Sequence, residues 1–299
     1  MINKPMLASK IKDPRSLKYP LIASPKLDGV RALTIDSVLV SRNWKPIPNT
    51  YIRNLFRSLP NDVDGELIGD DGTPAGVGFN ATQSMVMSED GQPDVIYHVF
   101  DYVKTSKGTP FKQRLMGLDG MVFLLPPDVR KYIRMVPQKL IRGSAELAIF
   151  ERECLDAGYE GVMLRSPDGP YKEGRSTEKE GYLLKLKRFE DSEAIVLGYE
   201  ELESNQNEAE EDAFGHTKRS HKKEGMILGG TLGKLCVRDI ETGVEFEIGT
   251  GFTTEQRDYI WANRKKWMGK IVKYKYQACG MKERPRFPVY LGESREGKL

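Results

Sequence analysis

The sequence predicts an α+β domain followed by a small all-β domain, and three observations support this fold class. Up to about residue 188, apolar residues alternate with the period of a strand in some segments and follow helical spacing in another. After Phe189 the pattern changes to short strands separated by turn residues. With 299 residues, 39% of them hydrophobic, the chain is long enough and apolar enough for two cores.

The first domain combines both kinds of element. Strands are predicted over Gly29–Ile35 and Asp94–Val103, where β-branched and aromatic residues are frequent. An amphipathic helix is predicted over Ser144–Ala157, ending at Gly158, because glycine commonly follows the last helical turn.

The second domain reads as strands with a single helix over about 255–266. That helix opens with Thr253-Thr254-Glu255-Gln256, a capping-box pattern. The predicted strands are Glu193–Tyr199, Lys234–Asp239, Glu245–Gly249 and Lys270–Gln277. About five short strands with one helix suit a small Greek-key barrel such as an OB-fold. A Glu-rich and then basic stretch, Glu200–Gly225, is predicted to be a long insertion in this barrel, at about 200–228.

Composition excludes several classes of protein. No apolar run approaches a membrane span, and the start of the chain lacks the layout of a secretory signal, so an intracellular location is expected. Cys154, Cys236 and Cys279 are few and far apart, which predicts small buried residues rather than a disulfide framework or a zinc site. The net charge of +3 is only mildly basic, so a nucleic-acid surface would need local clusters of charge.

The hexamer Lys26-Leu27-Asp28-Gly29-Val30-Arg31 is the strongest chemical signal. A lysine whose amine is kept neutral can attack a nucleotide phosphate and form a covalent phosphoramide. Asp28 can orient the turn or the lysine, Gly29 allows close backbone approach, and Arg31 can fork onto phosphate or ribose oxygens. The alternative is a surface turn with a Lys-Asp pair.

Two glycine-containing segments place carboxylates beside apolar strands. In Asp64-Gly65-Glu66 and in Glu160-Gly161, a turn glycine is predicted to set a carboxylate at the head of a strand. Two such carboxylates could share Mg²⁺ with substrate phosphates, because this cation prefers oxygen ligands. The alternative is that these pairs merely mark where strands begin.

Alternation in Leu183-Leu184-Lys185-Leu186-Lys187 places two ammonium groups on one strand face and two leucines on the other. Two lysines on one face suit a triphosphate. An edge strand protected by lysines is the alternative.

With these residues assembled, the sequence resembles the ATP-dependent DNA ligases of the minimal two-domain viral and phage type, within the covalent nucleotidyltransferase superfamily. The ordered motifs are Lys26–Arg31, Ser41-Arg42, Asp64–Leu67, Phe100-Asp101-Tyr102, Glu160–Arg165, Leu184–Lys187 and Pro285-Arg286-Phe287-Pro288. The resemblance implies an α+β nucleotidyltransferase (adenylation) domain over 1–188, followed by an all-β OB-fold barrel domain over 189–299.

The resemblance also implies roles in nucleotide chemistry. Lys26 would be the adenylated nucleophile, Phe100 would stack on adenine, and Glu66 and Glu160 would serve the metal. The expected catalytic residues are Lys26, Asp28, Arg31, Lys185 and Lys187. The expected nucleotide-binding residues are Ser24, Pro25, Lys26, Arg31, Glu66, Phe100, Glu160, Lys185, Lys187 and Arg286. Lys185 and Lys187 would hold the α-phosphate, and Arg286 would orient pyrophosphate.

DNA contacts are implied in the same way. Arg42 would grip the 5′-phosphate of the nick, and Arg175 would lie near the nucleotide and the nick. The remaining expected DNA-binding residues are Lys218, Arg219, Lys222, Lys223, Lys273 and Lys275, and Lys131–Arg142 is a further basic stretch. The insertion Glu200–Gly225 would be a latch that closes around DNA and is disordered without it.

Two departures from the family pattern are visible. Many cellular ligases carry a glutamate two residues before the lysine, where this chain has Ser24 followed by Pro25. Adenine selection would then rest on the backbone and the Ser24 hydroxyl. The tail Gly292–Leu299 has no clear match to the acidic residues expected after the last motif.

The implied function is sealing of nicks that carry a 3′-hydroxyl and a 5′-phosphate in duplex DNA, through lysyl-AMP and adenylated DNA. ATP and Mg²⁺ or Mn²⁺ would be the cofactors. Nicked duplex DNA would be the partner of a monomer that needs no membrane and no obligatory protein partner. The location would be the host cytoplasm or nucleoid, or the host nucleus or a virus factory.

Three alternatives remain open. A messenger RNA capping guanylyltransferase also uses Lys-x-Asp-Gly and a barrel domain, but tends to carry tryptophan where this chain has Leu186. An RNA ligase is the second alternative. The third is a non-catalytic clamp that binds duplex DNA and would not need Lys26.

Overall fold

The computed structural model describes residues 2–11, 13–104, 106–187, 189–213, 215–220, 222–277 and 283–294. The chain divides into two compact units, Met1–Lys187 with Glu211–His216, and Arg188–Glu210 with Thr217–Leu299. Among the helices of these described ranges, none is both long and apolar enough to cross a membrane.

The elements of the first unit form two five-stranded sheets, one two-stranded sheet and the helices that cover them. The strands are β1 (Met6–Leu7), β2 (Ser9–Lys10), β3 (Leu21–Pro25), β4 (Val30–Ile35), β5 (Val38–Ser41), β6 (Val63–Gly69), β7 (Val95–Tyr102), β8 (Ile133–Met135), β9 (Lys139–Ile141), β10 (Val162–Arg165), β11 (Gly174–Arg175) and β12 (Leu184–Leu186). The helices are α1 (Thr50–Leu55), α2 (Phe79–Met87), α3 (Phe111–Leu124), α4 (Pro127–Arg130), α5 (Ser144–Asp156) and a 3₁₀ turn, Pro14–Ser16.

The first sheet has the order β5-β4-β6-β7-β8. Because side chains alternate along a strand, one face carries apolar residues such as Leu67 and Tyr97, which form a core with residues of α1, α2 and α3. The opposite face carries Arg31, Asp64 and Glu66, and Arg31 and Glu66 are register partners on neighbouring strands. This polar face forms one wall of the candidate site.

The second sheet has the order β2-β12-β10-β3-β9, and α5 packs against it. Leu184 and Leu186 are buried in its core, while Lys185 and Lys187 are partly exposed. The predicted alternation is therefore confirmed. The edge-strand alternative is wrong, since β12 lies between β2 and β10.

The second unit is built on a five-stranded sheet with the order β17-β16-β13-β18-β19. The elements that follow β12 in the chain are β13 (Glu190–Asn205), β14 (Ala209–Glu211), β15 (Thr217–Arg219), β16 (Met226–Asp239), β17 (Glu245–Ile248), α6 (Thr254–Ala262), β18 (Ile271–Gln277), β19 (Arg286–Glu293) and 3₁₀ turns at Lys223–Gly225 and Arg264–Trp267. In the described part of this unit the sheet is not a fully hydrogen-bonded barrel. An isolated bridge joins Thr250, after β17, to Val289 in β19.

The predicted helix of the second unit begins as expected and ends early. Thr253 and Gln256 form the predicted capping box, with Gln256 N donating to Thr253 Oγ1 at 3.2 Å. The α-helix stops at Ala262 and is followed by the 3₁₀ turn Arg264–Trp267, which places Trp267 in the core at 4% exposure.

The insertion is more regular than expected. Strands β13 and β16 run well beyond the predicted segments and stay paired out to Asn205 and Met226. Strands β14 and β15 form a further pair within it. The prediction of a disordered segment is therefore wrong for the described residues, because backbone pairing between the two arms does not depend on an apolar side-chain pattern.

The cysteine prediction holds in part. Cys154, in α5, is buried at 3% exposure in the core of the second sheet. Cys236 is only partly buried, because it lies on the sheet face between Glu200 and Glu247, whose carboxylates both contact Lys234. Cys279 lies outside the described residues, as does His221 of the basic run.

Candidate active site

Lys26 directly follows β3 and is held by two backbone hydrogen bonds. Lys26 N donates to Gly161 O at 2.8 Å, and Glu160 N donates to Lys26 O at 3.1 Å. Gly161 has a φ of 147°, and a Cβ there would lie 2.3 Å from Leu186 O. Glycine is therefore required at this point, where three strands bring Lys26, Glu160 and Lys187 together.

Glu160 is the centre of a buried ion-pair group. Lys26 Nζ contacts Glu160 Oε2, and Lys187 Nζ contacts Glu160 Oε1. The carboxylate is 4% exposed, and desolvation alone would raise its pKa. The charges and hydrogen bonds of Lys26 and Lys187 outweigh that effect and lower the pKa of Glu160 below its usual range.

Positive charge accumulates around this carboxylate. Desolvation, and then the charges of Lys187, Lys26 and Arg175, lower the pKa of Lys185. Arg175, in β11, is fixed by a hydrogen bond from Nη1 to Ala8 O at 2.7 Å. Four cationic side chains near one carboxylate leave an excess of positive charge that suits a polyphosphate.

Glu66 lies in the middle of β6, which corrects the predicted turn at Asp64-Gly65-Glu66. Gly65 is an internal strand residue, and a Cβ there would meet His98 O and the Tyr97 ring, each at 2.6 Å. Gly65 is therefore needed because its neighbours pack too closely for a side chain, and it does not form a turn. Glu66 Oε1 accepts from Gly29 N at 2.9 Å, which ties the lysine hexamer to β6.

Glu66 and Glu160 influence each other. Desolvation raises the pKa of Glu66, the charge of Glu160 raises it further, and Lys26, Gly29 and Arg31 act in the opposite direction. Two carboxylates that repel each other next to lysines form a donor set of hard oxygen atoms, which fits a divalent cation such as Mg²⁺.

The forked guanidinium group of Arg31 donates two hydrogen bonds to the buried carboxylate of Asp64. Its Nε and Nη2 donate to Asp64 Oδ1 at 2.5 Å and Asp64 Oδ2 at 2.6 Å. Asp64 is fully buried, while the Arg31 side chain keeps 18% exposure. Burial would lower the pKa of Arg31, but Asp64 outweighs it and holds that pKa above its ordinary value. Asp64 therefore fixes the orientation of the guanidinium plane.

Phe100 projects from a β-bulge. Asp64 pairs with Asp101 and Gly65 pairs with Val99, so Phe100 is the extra residue of β7. Because of the bulge, the side chains of Phe100 and Asp101 lie on the same side of the sheet although the two residues are consecutive. The guanidinium carbons of Arg31 and Arg165 lie 4.7 and 5.5 Å from the centre of the Phe100 ring.

Asp101 anchors two buried arginines behind that ring. Arg114 Nε donates to Asp101 Oδ1 at 2.7 Å, and Arg165 Nη1 contacts Asp101 Oδ2. Desolvation would raise the pKa of Asp101, but the charges of Arg165 and Arg114 outweigh it and lower that pKa. This group holds the segment that carries Phe100.

The remaining predicted nucleotide and nick residues of the first unit lie near these elements in the chain. Ser24 and Pro25 are buried in β3, and Asp28 is partly exposed between Lys26 and Gly29. Arg42 is exposed in the tight turn after β5, where Ser41 N donates to Lys45 O at 2.7 Å.

The predicted residues of the second unit lie on its surface or along its strands. Arg286 begins β19, with its guanidinium 5.0 Å from the Phe287 ring. Lys273 is 3.5 Å from a Glu193 oxygen, and Lys275 Nζ lies over the Phe189 ring. The four predicted DNA-binding residues of the insertion are all exposed: Lys218, Arg219, Lys222 and Lys223. Residues 295–299, which include most of the predicted tail, lie outside the described part of the chain.

Sequence reasoning assigned no role to several groups that the structure places at the site. Asp64 and Asp101 stood inside motifs, but their arginine partners are remote in sequence. Tyr171, which donates to Asp64 Oδ2 at 2.7 Å, lies 107 residues away from it. A single sequence carries no local signal for such a contact.

Comparison with known families identifies both units. Residues 5–187 match a family model described as an ATP dependent DNA ligase domain. Residues 226–293 match a model described as a DNA ligase OB-like domain. The first match spans more than half of the chain.

Individual proteins agree with the family models. A DNA ligase of Haemophilus influenzae is 26% identical over 275 residues, which cover 92% of this chain and 87% of that protein. The crystal structure of Chlorella virus DNA ligase-adenylate is 33% identical, with a TM-score of 0.58, and the match covers 98% of this chain and 100% of that one. A structure from work on Lig E DNA ligases is 26% identical, with a TM-score of 0.72 and the same coverage.

Proposed function

Since this chain belongs to the ATP-dependent DNA ligase family, we propose that Lys26 is its nucleophile and that the surrounding cations carry the phosphate chemistry. The resemblance predicted from the motifs is confirmed, and so are the ligase function and the use of ATP. The residue roles that follow are supported by the geometry of the first unit.

The reaction consists of three in-line displacements at phosphorus. First, Lys26 Nζ forms a bond to the α-phosphorus of ATP, the bond to pyrophosphate breaks, and the amine loses a proton. Second, a 5′-phosphate oxygen of the nick displaces Lys26 and gives adenylated DNA. Third, the 3′-hydroxyl attacks the 5′-phosphorus, loses its proton and releases AMP. Each step needs positioning and charge stabilisation more than new covalent chemistry from the protein.

The contact of Lys26 with Glu160 is the observation that carries this proposal. It places Nζ beside Lys187 and within reach of the charge of Lys185, where an α-phosphate would be neutralised as pyrophosphate leaves. Glu160 holds the lysine at this position, and the adjacent cations favour attack on an anionic phosphate over attack on a neutral group.

A divalent metal is proposed at the carboxylates. Glu66 and Glu160 would hold Mg²⁺ or Mn²⁺ through oxygen atoms, and the ion would neutralise phosphate charge when bound. Both Glu160 oxygens contact lysines in this structure, so binding of the ion would compete with those contacts.

The nucleoside would occupy the wall formed by β4, β6 and β7. Phe100 would stack on adenine, Arg31 and Glu66 would contact the ribose or the phosphates, and Ser24 with the β3 backbone would contact the base edge. The bulge at Phe100 supports this assignment, because bulges commonly redirect a side chain beside an active site.

Replacing Phe100 by alanine tests the stacking role. Loss of one base-aromatic stack is expected to raise the KM for ATP in self-adenylation about tenfold. Phe100→Tyr, which keeps the ring, is the matched control and should stay close to the wild type. An unchanged KM in Phe100→Ala would show instead that the ring only packs against its arginine neighbours.

Nicked duplex DNA would be bound through its backbone. Arg42 and Arg175 would contact the nick phosphate, and the basic residues of the second unit would follow the duplex. Arg286 would orient pyrophosphate during the first step. Binding without base readout should be sensitive to salt and indifferent to sequence. We expect a monomer without an obligatory protein partner. Its expected location is the host cytoplasm or nucleoid, or the host nucleus or a virus factory.

The insertion is proposed to act as a latch on DNA, and its register allows a clean deletion. Asn205 and Met226 are paired neighbours, so residues 206–225 can be replaced by an Asn-Gly turn that keeps the hairpin. The deletion should leave self-adenylation nearly intact. It removes four exposed cations, so the magnitude of the slope of log K against log salt for nick binding should fall by up to about 3.6.

The control for this deletion is the full chain with Lys265→Gln and Lys266→Gln, two exposed lysines of the 3₁₀ turn that are not assigned to DNA. Equal losses in adenylation and in nick binding would contradict a latch and indicate damage to the sheet.

The overall proposal is tested by incubating the protein with α-³²P-ATP and Mg²⁺, followed by a denaturing gel and a nick-sealing assay. Labelled protein and sealed DNA are expected. Label from α-³²P-GTP alone would indicate a capping enzyme, and sealing restricted to RNA strands would indicate an RNA ligase. No label from either nucleotide would indicate a binding protein.

A further inference from the structure

Tyr171 has a buried hydroxyl that connects two parts of the first unit. The hydroxyl donates to Asp64 Oδ2 at 2.7 Å and accepts from Met6 N at 3.1 Å. The side chain is 2% exposed, and its ring packs in the same core as Leu33 and Val103. Burial, reinforced by the charge of Asp64, raises the pKa of Tyr171 well above its usual value. The hydroxyl therefore keeps its proton and can act as a donor to the carboxylate.

Asp64 is held from two sides. Its Oδ2 accepts from Arg31 Nη2 at 2.6 Å as well as from Tyr171, and its Oδ1 accepts from Arg31 Nε. With three donors on a fully buried carboxylate, rotation of the carboxylate would break at least one charge-assisted bond. The plane of Arg31 is thus set by Asp64, and the plane of Asp64 is set in part by Tyr171.

The Met6 peptide lies between the same two side chains. Its N–H donates to Tyr171, and its carbonyl oxygen accepts from Arg31 Nη2 at 3.4 Å. Met6 belongs to β1, which pairs in parallel with β11, so that Met6 is opposite Gly174 and Leu7 is opposite Arg175. One hydroxyl therefore connects the Arg31 pair to the strand that sets the position of Arg175.

We propose that Tyr171 is a positioning residue for the nucleotide, acting through Asp64 on Arg31 and through Met6 on β1. The inference rests on the proposed function, in which Arg31 contacts the bound nucleotide. Arg31 can present its remaining donors to a ribose or phosphate only in the orientation that Asp64 sets. Losing the hydroxyl should widen the range of Arg31 orientations without removing any group that touches ATP.

The test compares two phenol-to-phenyl changes within the first unit. Tyr171→Phe removes the hydroxyl and keeps the ring. Tyr97→Phe is the matched control, because its hydroxyl is also buried and donates to Ala32 O at 2.9 Å, but from the opposite, apolar face of the first sheet. Thermal unfolding is measured for both variants, so that general destabilisation is compared directly.

Relative to Tyr97→Phe, Tyr171→Phe should raise the KM for ATP in self-adenylation about tenfold, the loss typical of a hydrogen bond to a charged group. The maximal rate should change much less, because the nucleophile and the lysines are untouched. In an Arg31→Lys background the fork onto Asp64 is already lost. There, Tyr171→Phe should raise the KM for ATP by less than about twofold more, because both changes act through the orientation of residue 31.

Equal KM values for Tyr171→Phe and Tyr97→Phe would overturn the positioning role, and so would a full tenfold effect that persists with Arg31→Lys. Failure of the proposed function looks different. In that case the wild-type protein would take no label from ATP, or would carry AMP on a lysine other than Lys26, whereas a failure of this inference alone leaves wild-type labelling at Lys26 intact.

Discussion

Lys26→Ala is expected to abolish transfer of AMP from ATP to the protein, because the change removes the amine that is proposed to form the phosphoramide. Labelling with α-³²P-ATP should fall to background, a loss comparable to removal of the nucleophile in other covalent enzymes. Sealing of nicks that already carry AMP should persist at a reduced rate, since that step needs the site but not the amine.

The control for this prediction is Lys112→Ala. Lys112 is an exposed lysine of α3 that pairs with Asp168 at 2.7 Å. It should label like the wild type. Undiminished labelling of Lys26→Ala would assign the chemistry to another lysine, and loss of sealing on pre-adenylated nicks would show that the change had damaged the whole site.

Glu160→Gln is expected to have the second largest effect. The change removes a charge that contacts both Lys26 and Lys187 and leaves two ammonium groups close together without it. Because a small misplacement of a reacting group can lower a rate by roughly 100-fold, the adenylation rate should fall by about that factor when Glu160 no longer holds Lys26. Single-turnover labelling with saturating ATP measures that rate.

Glu151→Gln provides the comparison for Glu160→Gln. Glu151 is a carboxylate of α5 with 5% exposure, outside the group of lysines. A similar loss of adenylation in both variants would indicate that burial of a carboxylate, and not its contact with Lys26, is what matters.

The sequence-based predictions were most reliable where local pattern determines structure. Period-two alternation correctly placed Lys185 and Lys187 on the face opposite Leu184 and Leu186, because a strand allows no other arrangement of neighbours. The capping box correctly marked the first turn of α6. In both cases the determinants lie within a few residues of each other.

The sequence pattern led to a wrong prediction where a glycine can either form a turn or allow close packing inside a strand. Gly65 was interpreted as a turn, but it is an internal strand residue that admits the Tyr97 ring and the His98 carbonyl. The β-bulge at Phe100 could not be predicted from the sequence either, since an extra residue in one strand is defined only by its pairing with the partner strand. The motifs named candidate residues, while the orientation of their side chains depended on non-local pairing.

Contacts between distant segments were beyond prediction from one sequence. The fork of Arg31 was expected to reach a phosphate or a ribose, and the structure shows it on Asp64. The arginines that flank Asp101 come from α3 and β10, and Tyr171 comes from the loop before β11. These charged residues satisfy one another in the buried interior, as buried charges must, and only the fold determines which ones meet.

The most direct test of the central claim is to map the AMP adduct by mass spectrometry after incubation of the wild-type protein with ATP and Mg²⁺ under non-acidic conditions. The account predicts AMP on the peptide that contains Lys26 and on no other lysine peptide. AMP on a peptide carrying Lys185 or Lys187, with Lys26 unmodified, would contradict it.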